Sequence, residues 1–323
     1  MKRRGIALLQ FGGPDSPEAI RPFLRDLFED PEILPYPAIL RKPLAWTIAK
    51  FRAPIVAENY AKMGGASPIG MWTERQAAAI RRALPGVPVE VAMRSWRPST
   101  AEAVGKLLAA GCDEILAVPL YPQYSYTTSR SSMTELLRQL RKQAKGRAVS
   151  LRALRSWPTH PGYVEATCGI VRREMAKFAA PPFVLFNAHG LPMKVVNKGD
   201  PYPSEVRSTV EACVRSLGLA QDRWALSFQS RVGYLEWLRP YTEERIPELG
   251  AAGVRDLLVV PMSFVCDHYE TLFEMRMLQA DLAKMAGIER YVVAPALNDD
   301  PAFLAALVDL AREGFETAKA ERI

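Results

Sequence analysis

Residues 252–264 read AGVRDLLVVPMSF, and a close likeness stands earlier at residues 110–122, AGCDEILAVPLYP, with Ala110, Gly111 and Pro119 matching Ala252, Gly253 and Pro261 at a constant offset. Each copy is a glycine turn followed by a continuously apolar run that ends in proline. A run that is apolar on both faces belongs to a strand buried inside a parallel sheet, since a half-exposed strand alternates. Weaker matches pair LLQFGGP (8–14) with LFNAHGLP (185–192) and VAMRSW (91–96) with LSFQSR (226–231). A chain that repeats its own strand-and-helix pattern is expected to fold as two similar Rossmann-like α/β domains. Each would be a parallel sheet flanked by helices, with a ligand cleft between the two. The expected bounds are 1–155 and 156–323, with the last helix packing back on the first domain.

Outward from these runs, residues 5–11 form an apolar first strand. Gly12-Gly13-Pro14 then turns the chain where a side chain would keep a ligand from the backbone. Ser16-Pro17-Glu18 predicts a helix start that runs to about Leu27, with serine as cap and proline in the first turn. Further strands are expected at 88–93, 114–120, 149–155, 183–188, 224–229 and 291–295, separated by helical patterns that include one from about Thr73 to Leu84. The segment Asp30–Pro54 breaks the pattern. Prolines 31, 35, 37, 43 and 54 are interleaved with Ile33, Leu34, Tyr36, Ile39, Leu40, Leu44, Trp46 and Phe51, and with the basic Arg41, Lys42, Lys50 and Arg52. It reads either as a core-packed helical connection or as an apolar lip for a ligand or a membrane surface. After Pro119, residues 120–132 (LYPQYSYTTSRSS) are dense in hydroxyl groups at the end of a strand, where loops supply binding groups.

Composition narrows the function classes. The chain has 323 residues, 49% hydrophobic and 24% charged, enough for a sizeable core in one large or two medium domains. A formal net charge of +7 favours acidic ligands or anionic surfaces. No Lys/Arg run with interleaved aromatics points to nucleic acid. Cys112, Cys168, Cys213 and Cys266 form no CxxC pair, so neither a zinc knuckle nor a disulfide framework is indicated, and a reducing cytoplasm fits. The basic start MKRRGIALLQFGGP has too short an apolar run for a signal peptide, and no stretch approaches the roughly 20 apolar residues of a membrane span.

Chemistry concentrates in residues 261–275, PMSFVCDHYETLFEM, where a buried strand gives way at once to acidic residues and a histidine. Asp267, Glu270 and Glu274 recur at helical spacing and make one carboxylate face, with His268 among them. The same spacing also fits a plain capping box, Asp267 as cap and Glu270 three residues on. Histidine usage favours the chemical reading, because the chain has only three: His160, His189 and His268. His189 follows the apolar strand that begins at Phe183, so it is expected at the carboxyl edge of the same sheet as the acidic segment. Imidazole and carboxylate at one edge suit proton transfer near neutral pH or a borderline divalent ion.

Seven motifs, in order, closely resemble the ferrochelatases, which insert ferrous iron into a porphyrin late in haem synthesis: GGPDSPEAIRPFLRDLF (12–28), YAKMGGASPI (60–69), PLYPQYSYTT (119–128), WPTHP (157–161), AHGLPMKVVNKGDPYP (188–203), SFQSRVG (227–233) and FVCDHYETLFEM (264–275). The resemblance covers nearly the whole chain and implies a chelatase-type fold with a porphyrin cleft. It implies His189 and its partner Glu270 as the catalytic and metal-contacting pair, and Asp267, His268 and Glu274 as a proton or metal path. It assigns Arg52, Tyr60, Ser67 and Arg94 to the porphyrin pocket and Gln229 and Trp237 to its wall, with Phe11, Met71, Trp237 and Phe264 as apolar surfaces able to buckle the macrocycle. The implied partners are protoporphyrin IX and Fe2+ as substrates, in a monomer or homodimer; the apolar lip, not the resemblance, adds the expectation of peripheral contact with the inner face of the cell membrane.

Departures from the family pattern refine these expectations. Ala166 stands where cluster-bearing relatives place a cysteine after the WPTH turn, Cys168 is two residues away, and the three C-terminal cluster cysteines have no counterpart. No permanently bound cofactor, and in particular no 2Fe–2S cluster, is therefore expected. Phe11 stands where many coproporphyrin-using relatives have tyrosine, which, with YAKMGGASPI (60–69) and PMKVVNKGDPYP (192–203), leans toward protoporphyrin IX over coproporphyrin III; Phe51 and Ile55 stand where some relatives have basic residues, so the family's propionate contacts are not expected at those two positions. A non-catalytic tetrapyrrole-binding protein is the alternative of another class.

Overall fold

The computed structural model describes residues 2–323, which divide into two compact units. One unit comprises the residues through Tyr121 with Ser125–Ser156 and Leu307–Ile323; the other comprises Pro122–Tyr124 and Trp157–Ala306. The first holds β1 (Arg4–Gln10), α1 (Ile20–Phe28), α2 (Ala38–Lys62), α3 (Ile69–Ala83), β2 (Val89–Met93), α4 (Thr100–Ala109), β3 (Glu114–Pro119), a π-helical turn (Tyr126–Arg130), α5 (Ser131–Gln143) and β4 (Ser150–Ala153). The second holds α6 (Pro161–Met175), β5 (Phe183–His189), α7 (Met193–Val196), α8 (Tyr202–Leu217), β6 (Trp224–Gln229), α9 (Thr242–Ala251), β7 (Asp256–Pro261), a π-helix (Glu270–Leu278), α10 (Gln279–Met285) and β8 (Arg290–Val293). Helix α11 (Pro301–Thr317) begins in the second unit and continues into the first, which closes with β9 (Ala320–Arg322).

The two sheets repeat one topology. The first has the order β2-β1-β3-β4-β9 and the second β6-β5-β7-β8, so β1 and β5 are each held between two parallel neighbours. Both central strands are apolar on both faces, as the uninterrupted runs require, and Ile6, Ala7, Leu8 and Leu9 lose all solvent contact, as do Val184, Leu185 and Phe186. The repeated 110–122 and 252–264 segments are β3 and β7 with their leading turns, and each is followed by a π-helical stretch. Strand β9, which no apolar run announced, adds to the edge of the first sheet antiparallel to β4.

Several local expectations are corrected. Helix α1 starts at Ile20, later than Ser16, because Ala19 and Ile20 bond back to Ser16 and Pro17 in tight turns before regular helix begins. Helix α3 starts four residues earlier than Thr73, at Ile69. Most of the proline-rich segment, from Ala38 on, is helical as one of its two readings allowed: it belongs to the 25-residue α2, which contains Pro43 and Pro54 and runs on to Lys62. It buries its small Ala45 and Ala49 and leaves Ile39, Phe51 and Ile55 at 81%, 70% and 63% exposure. Among the described residues no helix is long and apolar enough to cross a membrane.

Close backbone approach fixes where the helices of the second unit lie. A Cβ added to Gly250 on α9 would stand 2.1 Å from the carbonyl oxygen of Ala286, just after α10. Gly250→Ala is expected to destabilise the protein by about 2 kcal/mol or more through forced backbone displacement, read as a lower midpoint in urea unfolding; an unchanged midpoint would mean that the two segments part without cost.

Candidate active site

The site is built where β5 ends. His189 is the last residue of that strand and pairs in register with Gln229, the last of β6. Tyr202, opening α8, donates its hydroxyl to the His189 carbonyl at 2.9 Å. The next residue must be glycine, because a Cβ at Gly190 would meet the Gln229 carbonyl at 2.9 Å and the Trp237 ring at 3.3 Å. Strand and loop are thus pinned on both sides of the imidazole.

Opposite the imidazole, Glu270 opens the π-helix that follows β7. Its Oε2 lies 3.2 Å from His189 Nδ1. Both atoms are shut away from water and are not aligned as a hydrogen bond, so the contact is electrostatic. The side chains as wholes keep 34% and 24% exposure. On the other flank, His268 Nε2 stands 3.9 Å from Glu270 Oε1. His268 Nδ1 is 3.1 Å from the Cys266 carbonyl, and since a carbonyl only accepts, Nδ1 carries the proton and Nε2 keeps its lone pair.

Electrostatics divides the labour within this cluster. Burial alone would lower the His189 imidazole, but the charges of Glu270 and then Glu274 outweigh it and the net shift is upward. Burial would raise Glu270, yet His189 foremost, with His268 and the Ser230 hydroxyl, hold it well below the usual carboxylate range. For His268 burial wins over Glu270 and Asp267, and its value falls, favouring the neutral ring. Glu274 is pushed up to about 7 by burial and then by the charge of Glu270. One carboxylate is therefore fixed as an anion while its neighbour changes charge near neutrality.

Behind the cluster lies a buried polar lattice. Glu274 Oε2 accepts from the Ser230 hydroxyl and, at 3.2 Å, from Gln229 Nε2. Gln229 Oε1 accepts from Asn187 at 3.0 Å and Gln279 at 2.8 Å, and Thr242 donates to Asn187 at 3.1 Å. Each buried amide thus has partners, as the cost of orphaned polar groups demands. The apolar walls are Trp237 and Phe264, whose rings stand edgewise 6.3 and 6.5 Å from the His189 ring. Phe264 also lies 4.5 Å from the His268 ring.

The structure therefore brings His189, His268, Glu270, Glu274, Gln229, Trp237 and Phe264 together in the second unit. Asp267 is directed elsewhere: it accepts from Thr271 at 2.9 Å and from the Asn298 side chain at 2.8 Å, and its own N–H donates back to Asn298. The capping box does not form, because the helix opens at Glu270 itself. Among the described residues no group of three or more His, Cys, Asp or Glu side chains is arranged to hold a metal ion. In the first unit, Arg94 is paired with the buried Asp30 at 3.0 Å and donates to Ser131 at 2.7 Å. Tyr60 and Ser67 are buried, Phe11 is half-buried, Met71 is exposed, and Arg52 lies over the Phe28 ring at 5.8 Å. Sequence reasoning passed over Ser230, Asn187 and Tyr202 although all three lie in motifs already singled out; Gln279 and Asn298 carry no local signal at all.

The Ferrochelatase family model matches residues 3–315. A ferrochelatase from Synechococcus sp. (strain RCC307) is 44% identical over 319 residues, covering 96% of this chain and 82% of the relative. One from Thermosynechococcus vestitus is 44% identical over 320 residues, covering 96% and 81%. Among solved structures, SirB from Bacillus subtilis with Fe3+ is similar in fold, with a TM-score of 0.57 at 13% identity, covering 97% of this chain and 96% of that one. CbiX, described as the terminal enzyme for biosynthesis of sirohaem in denitrifying bacteria, has a TM-score of 0.53 at 14% identity, covering 96% and 99%.

The raised Glu274 value has a thermodynamic consequence. A carboxyl group whose folded value exceeds its unfolded one, near 4.5, contributes stability that is full below pH 4.5 and is lost as pH rises through about 7. Glu274→Gln removes that loss. Its thermal midpoint is expected to fall less between about pH 5 and about pH 8 than that of the parent, and parallel profiles would exclude Glu274 as the titrating group.

Proposed function

Since the chain belongs to the ferrochelatase family, we propose that it inserts Fe2+ into protoporphyrin IX to form protohaem. The observation that carries this is the 3.2 Å contact of His189 with Glu270 at the end of the central strand, beside an open, partly apolar surface. Metal insertion must remove both inner N–H protons of the macrocycle while an ion arrives on the same nitrogens. His189 takes a pyrrole proton at Nε2, and Glu270, already an anion against Nδ1, stabilises the imidazolium that forms. Neutral His268 offers a second lone pair, at Nε2, for a proton or for the ion. Glu274, with its value near 7, passes protons onward. Trp237 and Phe264 present flat apolar surfaces against which the ring is held and distorted, a strain drawn from binding energy.

Phe11, where many coproporphyrin-using relatives have tyrosine, supports protoporphyrin IX over coproporphyrin III. A 2Fe–2S cluster has no part in this proposal, because Ala166 stands at the first cluster position. The four free cysteines are buried and suit a reducing cytoplasm.

The test is anaerobic Fe2+ insertion into either porphyrin, followed spectroscopically. Protoporphyrin turnover is expected, and His189→Ala should lower kcat by about 100-fold or more while porphyrin binding persists. Preference for coproporphyrin III would reassign the substrate, and binding of either ring without insertion would make the chain a carrier.

The lip also supports peripheral membrane contact on the cytoplasmic side. Leu40, Leu44, Phe51 and Ile55 recur at helical spacing on the exposed face of α2, with Lys50 and Arg52 near them. Sedimentation with anionic vesicles at low salt should carry the protein down, and Phe51→Ser with Ile55→Ser should release most of it. Equal sedimentation of parent and double variant would remove this contact from the proposal.

A further inference from the structure

One side chain ties the turn that carries His268 and Glu270 to a distant part of the second unit. Asn298 follows β8 in a segment whose Ala294, Ala296 and Leu297 are buried. Its Oδ1 accepts from the Asp267 backbone N–H at 2.8 Å, and its Nδ2 donates to Asp267 Oδ2, also at 2.8 Å. Its own backbone N–H donates to the Val265 carbonyl at 2.9 Å. Three bonds from one residue thus fix both the backbone and the side chain of the segment 265–267. Asn298 makes them with φ at +46°, in the left-handed region that asparagine tolerates better than most residues bearing a side chain.

The tie continues into the site. Asp267 Oδ1 accepts from the Thr271 hydroxyl at 2.9 Å, and the oxygen of that hydroxyl accepts from the His268 N–H at 3.0 Å. Asp267, Thr271 and Asn298 are all buried, where a hydrogen bond is strong and its loss is costly. Both Asp267 oxygens are engaged, and Arg276 approaches Oδ2 no closer than 3.6 Å. A buried carboxylate held in this way is suited to fixing a turn, and poorly suited to taking up a hydrated ion.

We propose that Asn298 is a positioning residue for metal insertion: by holding Asp267 it sets where His268 and Glu270 stand, and Asp267 acts through this pairing and not as a carrier of protons or metal. The proposal rests on the reading that His189, His268 and Glu270 carry the insertion. A shift of about 1 Å at such a site can cost roughly 100-fold in rate, although neither Asn298 nor Asp267 touches the substrate.

Exchanging the two side chains separates bracing from carrying. In Asp267→Asn with Asn298→Asp an amide still faces a carboxylate, and the backbone N–H and the Thr271 hydroxyl still meet oxygens, but position 267 no longer holds a carboxylate. Asn298→Gly keeps the left-handed backbone and removes the amide, and Asn298→Asp alone sets two carboxylates against each other. Each protein is assayed for Fe2+ insertion and for amide hydrogen exchange over residues 264–275. The single variants are expected to lower kcat about 30-fold with the porphyrin KM within about twofold of the parent, and to speed exchange over 264–275 while the sheets stay protected. The exchanged pair should restore that protection and bring kcat to within about threefold of the parent. Single variants that keep the parent's kcat would overturn the proposal, and they decide it even where the exchanged pair fails to fold. Restored protection without restored insertion would also overturn it, by making the Asp267 carboxylate the carrier. A parent that inserts no iron would refute the proposed function instead, and the exchange profile would still show whether Asn298 holds the turn.

Discussion

The His189–Glu270 contact is the constraint around which the second unit is organised. An imidazole and a carboxylate held 3.2 Å apart, each with its facing atom sealed from water, repay their desolvation only if the pairing is enforced from outside. The enforcement comes from both sides. A buried parallel strand delivers His189 at its carboxyl end, and the segment after β7 delivers Glu270 at the first residue of a π-helix. Tyr202, the Gly190 approach and the Trp237 ring leave His189 no freedom to withdraw, and the amide lattice behind Glu274 holds the opposite bank.

The π-helix carries both carboxylates of the site, and such i→i+5 stretches are frequent at functional sites. Glu270 and Glu274, four residues apart, lie close enough to repel, and burial with this repulsion carries one to about 7 while His189 draws the other far down. Two chemically identical side chains thus acquire different charges at neutral pH from their surroundings alone. Asp267, one turn earlier in the sequence, is removed from this interplay by Asn298 and Thr271 and becomes a brace for the turn.

The first unit shows the same frame put to a different use. Its sheet repeats the order of the second, and a shorter π-helical turn again follows the third strand, yet that turn is Tyr126–Arg130, rich in hydroxyls and without a carboxylate. Its buried ion pair, Asp30 with Arg94, joins the segment after α1 to the end of β2. Helix α2 buries Ala45, Ala49 and Tyr60 while large apolar residues such as Ile39, Leu40, Phe51 and Ile55 face outward.

Periodicity and repetition were legible without coordinates. Uninterrupted apolar runs specify parallel strands, the repeat of 110–122 at 252–264 specifies two like sheets, and the scarcity of histidine directs attention to His189 and His268. Those signals survive in sequence because they arise from local chemistry, a strand's burial on both faces and a turn's need for glycine. Strand β9, the start of α1 and the outward turn of the large apolar residues of α2 were not legible, since each depends on which surface lies alongside. The same holds at the site. That Asp267 braces while Glu274 is pushed toward neutrality, that burial lowers His268 while the carboxylates raise His189, and that Ser230, Gln279 and Asn298 belong to the cluster at all, follow from distances between residues far apart in the chain. Charge states are set by burial and by neighbours within a few ångströms, and only the tertiary structure decides who those neighbours are.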